Sequence, residues 1–139
     1  MSRRKSSYED LQDNIRSLKF PAIEVWDNQY PDREYTITLQ IPEFTCICPK
    51  TGLPDFATIT IDYSPAKSCI ELKSLKLYLV KYRNLGIFHE HWVNKILDDC
   101  VSACHPRWAK VEGIVNPRGG IQTTVVAEYY KKQKVTSRR

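Results

Sequence analysis

Glycine is scarce in this chain, five in 139 residues, and nowhere forms a G-x-G-x-x-G run behind a strand, which excludes the common dinucleotide-binding turn. No apolar run approaches the roughly 20 residues a membrane-spanning helix needs. The opening MSRRKSSYED is polar where a signal peptide would carry its apolar stretch, so a soluble, cytoplasmic protein is expected. The five cysteines are an odd number, and without an export signal they read as free thiols rather than a disulfide framework. No repeat or low-complexity linker divides the sequence. The expected organisation is a polar, mobile segment over 1–19, one folded domain over 20–130 and a basic tail over 131–139. A domain of this length has a modest core, and a partner subunit would add to it.

Acidic residues are missing from the two ends. Arg3, Arg4, Lys5, Lys131, Lys132, Lys134, Arg138 and Arg139 make up eight of the 21 Lys and Arg, leaving 13 basic against 16 acidic side chains for the rest. The formal charge of +5 therefore belongs to the tails, and the body is net acidic. Such tails read as solvated ends that add at most a salt-sensitive attraction to RNA, so nucleic acid is not the expected partner.

What is present is periodic. Tyr35, Ile37, Leu39 and Ile41 alternate with polar residues, as do Ala57, Ile59, Ile61 and Tyr63 beyond the turn at Pro49 to Pro54; both read as half-buried strands of an antiparallel pair. In ELKSLKLYLVKYRN the apolar residues Leu72, Leu75, Tyr78, Leu79 and Tyr82 fall at helical spacing, with a left-handed stop near Asn84 and Gly86. Leu75, Leu77 and Leu79 also alternate, which leaves a strand open there. Val93, Ile96, Leu97, Cys100, Val101 and Cys104 form one apolar stripe of a second helix that His105 and Pro106 close. Strands around Trp108 to Val115 and Ile121 to Tyr129, joined through Pro117, Gly119 and Gly120, complete a ββααββ order. The fold class is α+β, an antiparallel four-stranded sheet with two helices on one face, whose open edges predict a homo-oligomer closed into a ring or barrel.

Three groups of residues could carry chemistry. Cys48 precedes Pro49, Lys50, Thr51 and Gly52, a turn whose lysine charge and backbone N–H groups can favour the thiolate, and Asp55 follows as a candidate proton donor. A soft nucleophile beside an acid suits addition to an unsaturated carbon. The same residues also describe a buried loop cysteine and an ordinary turn former. Glu90 opens the second helix, where it either complements the helix dipole or accepts paired hydrogen bonds from a guanine-type edge, with Phe88 as staple or stacking ring. Lys73 and Lys76 are either a solvated face or a phosphate clamp. A zinc site built from the cysteines with His89, His91 and His105 is disfavoured, because Cys100 and Cys104 already belong to the apolar stripe; no metal is expected.

Together, CPKTGLPDF, ELKSLKLY and RNLGIFHEH, in this order and at these separations, resemble the short, single-domain form of the NADPH-dependent nitrile reductases that convert 7-cyano-7-deazaguanine to its aminomethyl product in queuosine biosynthesis. The likeness runs over roughly residues 30–120. It implies the tunnelling fold, whose ββααββ order agrees with the periodicity, and rings with active sites between subunits. It implies that Cys48 attacks the nitrile carbon to form a thioimide and that Asp55 is general acid and base. It implies further that Glu90 and His89 hold the deazaguanine with Phe88 against its ring, and that Glu71, Lys73, Ser74 and Lys76 border an NADPH site. Competing readings are the archaeal relative that uses the same thioimide to transfer ammonia in tRNA, the zinc-dependent GTP cyclohydrolase of the same fold, and a non-catalytic RNA-binding module. The last is opposed by the acidic body.

Overall fold

The two expected strands reach further toward the turn that joins them than their apolar alternation suggested. In the computed structural model, which describes residues 19–132, the elements in chain order are β1 (Val25–Asp27), β2 (Ile37–Ile47), β3 (Pro54–Ser64), β4 (Ser68–Ile70), α1 (Leu72–Val80), α2 (His89–Cys104), β5 (Trp108–Val115) and β6 (Thr124–Tyr130), with a 3-10 turn at Lys81–Asn84. Arg3, Arg4, Lys5, Lys134, Arg138 and Arg139, and nearly all of the expected mobile N-terminal segment, lie outside the described residues.

The main sheet is antiparallel throughout in the order β2-β3-β5-β6, with α1 and α2 on one face. Successive strand side chains point to opposite faces, so Ala57, Ile59, Ile61 and Tyr63 of β3 and Ala109, Val111 and Val115 of β5 all turn inward. They meet Val93, Ile96, Leu97 and Cys100 of α2 and Leu75, Tyr78 and Leu79 of α1 in one buried cluster. Each such isoleucine or leucine withdrawn from water contributes about 1.5–3 kcal/mol. Across Gly113 the approach is so close that the Trp92 ring lies directly over the β5 backbone.

Several boundaries differ from the sequence reading, each for a local reason. β2 continues to Ile47 because its register shifts between Ile41 and Phe44, at Pro42 and Glu43. Proline is tolerated at such a bulge on an edge strand, where its missing N–H costs no ladder bond. The shift exchanges faces: Ile37, Leu39 and Ile41 turn inward before it, Phe44 and Cys46 after it. Tyr35 stays outside the strand and donates its hydroxyl to Asn28 Oδ1 instead. The first helix is short, confirming helix over strand for Leu75 to Leu79, and it tightens into the 3-10 turn. The left-handed stop expected at Gly86 is absent, since the chain leaves through an extended Leu85. The left-handed residue is His105, with φ 46°, whose N–H caps Val101 O at 2.9 Å just before Pro106. β6 begins at Thr124 because Ile121 and Thr123 are used to close the preceding loop. The paired strands β1 and β4, three residues each, escaped the sequence reading because so short a run shows no alternation.

Candidate active site

The site begins where β2 ends. Cys48 N–H donates to Leu53 O at 2.9 Å and Gly52 N–H donates to Cys48 O at 2.8 Å, folding residues 48–53 into a closed turn. Gly52 takes φ +71°, a left-handed conformation that side-chain-bearing residues disfavour. The turn hands the chain to β3, where Asp55 pairs in register with Cys46 and therefore points to the helix side of the sheet. A second segment is drawn alongside. Ile47 N–H donates to Leu85 O at 2.9 Å and Ile87 N–H to Ile47 O at 3.0 Å, a parallel bridge that lays residues 85–87 against the end of β2. Phe88, His89 and Glu90 consequently begin α2 beside the cysteine turn, with Phe88 as N-cap.

Asp55 is only 5% exposed, and a carboxylate so far from water needs compensating charge. Arg118 supplies it: Nη1 lies 3.0 Å from Oδ1, while Nη2 donates to Pro54 O at 2.5 Å. His89 Nε2 lies 3.8 Å from the other oxygen, Oδ2, within electrostatic reach but beyond a hydrogen bond. Trp92 Nε1 donates to His89 Nδ1 over a long 3.4 Å, which leaves the Nε2 side toward the aspartate.

The cysteines diverge sharply in character. Partial burial pushes the Cys48 thiol up, but bonds from the Thr51 hydroxyl and the N–H groups of Thr51 and Lys50 outweigh it and hold the thiol below its ordinary value, against the opposing charge of Asp55. Cys46, two residues earlier, is pushed up to about 12 by burial and then by the Asp55 charge. Burial likewise pushes Cys100 up, and Cys104 to about 11. Both sit in the core stripe of α2. The surroundings of Cys48 thus favour its thiolate, while those of Cys46, Cys100 and Cys104 oppose it.

Of the residues singled out from the sequence, Cys48, Asp55 and His89 come together in one place, with Phe88 and Glu90 at its border; Glu90 is exposed in the first turn of α2. The remaining four lie on α1. Glu71 is the N-cap, accepting from Lys73 N–H at 2.9 Å and Ser74 N–H at 2.7 Å, bonds that hold its carboxyl below the usual range. Ser74 is buried, donating to Glu71 O and accepting from Glu24 N–H, each at 2.8 Å. Lys73 and Lys76 are exposed. Lys76 borders a groove of about 480 Å³ between α1 and the β2 bulge, walled by Leu72, Leu75, Leu79 and Val80, with Arg83 and Glu43 also at its edge. This groove contains none of Cys48, Asp55, His89 or Glu90. Sequence reasoning missed Thr51 and Arg118. Thr51 was overlooked among turn formers, although a hydroxyl three residues after a cysteine in a tight turn is a usable signal. Arg118 was hidden between Pro117 and Gly119 in what read only as a loop.

A four-stranded antiparallel sheet backed by a helix pair, with Cys48 and a buried Asp55 at one end, is the architecture of a tunnelling-fold enzyme. The crystal structure of the archaeosine synthase QueF-Like in the apo form superposes with a TM-score of 0.65 over 70% of this chain and 96% of that one, at 22% identity, a likeness of fold. Residues 54–134 match the family model for QueF-like proteins. The NADPH-dependent 7-cyano-7-deazaguanine reductase of Elusimicrobium minutum is 58% identical over 116 residues, 84% of this chain and 87% of that protein. The protein of the same name from Chlorobaculum tepidum is 60% identical over 112 residues, 81% of this chain and 96% of its own length. The chain belongs to the QueF-like family.

Proposed function

We propose that this protein is an NADPH-dependent oxidoreductase that reduces the nitrile of 7-cyano-7-deazaguanine to 7-aminomethyl-7-deazaguanine, a step of queuosine biosynthesis. The reading rests on relatives named for this reaction at up to 60% identity over most of their length. The observation that carries its chemistry is Cys48, a thiol held below its ordinary value just past the end of a strand paired with the one that bears Asp55. The archaeosine synthase QueF-Like, the amidine-forming alternative, shares this fold at 22% identity, and nothing in the site favours its reaction.

The Cys48 sulfur adds to the nitrile carbon: a C–S bond forms, one C–N π bond opens, and the nitrogen takes the proton that the thiol gave up, by way of Asp55. The product is a thioimide, whose C=N carbon is a far better hydride acceptor than the free nitrile. His89, whose Nε2 lies 3.8 Å from the same carboxylate, holds the heterocycle beside it in this reading. Glu90, exposed at the start of α2, accepts the paired N–H donors of the guanine-type edge, with Phe88 alongside the ring.

NADPH supplies the hydrides when bound. The residues on α1 fit a phosphate-bearing cofactor. Lys73 and Lys76 are exposed cations, and the groove beside Lys76 joins an apolar wall to a second cation, Arg83. Glu71 and Ser74 are occupied in capping α1 and so serve to place the two lysines. We assign the site a second subunit as well. Among the described residues β2, apart from its bridge at Ile47, and β6 are open edges of the main sheet, and a ring joined along them would enclose an active site that the single chain leaves open.

The direct test is to mix protein, NADPH and the cyano substrate and follow reduced nicotinamide by absorbance against product by chromatography. Two equivalents consumed per amine formed is the expected outcome. No consumption, or product without consumption, would remove the reductase reading.

A further inference from the structure

The site contains a residue to which neither the sequence reading nor the family resemblance gave a role. We infer that Arg118 is the positioning residue of the acid: it ties down one oxygen of Asp55 so that the other is presented to the cysteine and the nitrile nitrogen. This inference rests on the reading of Asp55 as the group that carries the proton.

The geometry is that of a fixed bracket. The guanidinium spans the start of β3, one nitrogen 3.0 Å from Asp55 Oδ1 and the other 2.5 Å from the carbonyl of the residue before it, Pro54. Two contacts to adjacent residues define both the position and the tilt of a planar fork, which a single point charge could not do. The arginine is itself held. Its backbone N–H donates to Ile121 O and Ile121 N–H donates to Arg118 O, both at 3.1 Å. Gly119 and Gly120 supply the positive φ values, 58° and 79°, that this closure requires, and Asn116 N–H is anchored on Phe56 O at 2.8 Å. The loop is thus built to return Arg118 to one place.

What this does to the aspartate follows from its surroundings. Asp55 faces Arg118 from the loop, His89 from α2, Cys46 from β2 and Cys48 from the turn that follows β2. With Oδ1 engaged by Arg118, Oδ2 is the free oxygen, on the side of His89. In the addition step the thiol proton passes to the carboxylate as the C–S bond forms, then to the nitrogen as the π bond opens, so no net proton and no electron is exchanged with Arg118. Its contribution is to fix the oxygen through which the proton passes. A rotation of the carboxylate would leave that oxygen out of reach, and displacements on the order of 1 Å can cost as much as 100-fold in rate.

The experiment is formation of the covalent adduct without NADPH, followed by rapid quench and intact-protein mass spectrometry in Arg118→Gln and Arg118→Lys. Equilibrium binding of the cyano substrate is measured in parallel in the Cys48→Ala background, where no adduct forms. Arg118→Gln is expected to slow adduct formation by about 10- to 100-fold, within the range attributable to one acid–base group, while the dissociation constant changes by less than about threefold, and Arg118→Lys is expected to recover part of the rate. Adduct formation at the wild-type rate in Arg118→Gln overturns the inference. So does a loss of binding equal to the loss of rate, which would make Arg118 a scaffold. Should Arg118→Gln fail to fold, Arg118→Lys decides: it keeps the charge but cannot span both contacts, and a rate equal to wild type overturns the bracket. Asp55→Asn separates the two readings, since an adduct at the wild-type rate there removes Asp55 itself, whereas a slow Asp55→Asn beside a fast Arg118→Gln removes only this inference.

Discussion

At the scale of single residues the distinction that matters is between Cys48 and Cys46, two positions apart on one strand end. Burial and the Asp55 charge make the second inert, while the turn that follows the first offers its sulfur a hydroxyl and two N–H groups. Hydrogen bonds to a thiolate stabilise the charged form, so removing one raises the pH at which the thiol ionises. Thr51→Val is therefore expected to move the inflection of Cys48 alkylation by iodoacetamide to higher pH, read by peptide mass spectrometry, with Cys46 unlabelled at neutral pH in both proteins. An unmoved inflection would assign the activation to some other group. Cys48 and Asp55 could be singled out in the sequence because one short turn joins them, although the residues alone left a buried loop cysteine and a turn former equally open. Arg118 was not, because its contact with Asp55 is made across the sheet by a loop whose composition says only that it turns.

At the scale of elements, the site depends on where α2 begins, and that depends on how closely α2 approaches β5. A Cβ at Gly113 would stand 2.4 Å from Trp92 Cη2, 2.8 Å from Cζ3 and 2.9 Å from Val93 Cγ2, so helix or strand would have to shift. Gly113→Ala should cost about 1–3 kcal/mol, as overpacking of a close-packed core does. It should also slow adduct formation, since Trp92 lies one turn from His89. Urea unfolding followed by near-ultraviolet circular dichroism checks the first; an unchanged midpoint would mean that the close approach is slack. Glycine at this position carried no sequence signal, being one residue inside an alternating strand. The long strands and the α2 stripe were legible, since period and composition agreed over many residues. The face exchange at Pro42 and Glu43 was not, because a bulge reverses the pattern that reveals a strand.

At the scale of the whole molecule, the topology leaves two things unfinished. Among the described residues no strand pairs with the outer side of β6, and that of β2 is met only at Ile47, by the bridge to residues 85–87; the sheet face away from the helices exposes Phe56, Val126 and Tyr130. Joining subunits along these edges would pair the free backbone groups and cover the aromatic residues together. Light scattering is expected to give a multiple of the 16.2 kDa chain mass at micromolar concentration, and a mass of one chain would contradict the ring. The order of strands and helices was legible because each element announces its own period. The number of subunits was not, since nothing in one chain fixes the angle at which two edges meet. Whatever that number, the reaction stands on one covalent step. Incubated with 7-cyano-7-deazaguanine and no NADPH, the wild-type protein should gain the full mass of the substrate, with nothing lost, on the peptide that carries Cys48, and Cys48→Ala should gain nothing. An adduct that persists in Cys48→Ala, or turnover by that variant, would contradict the account.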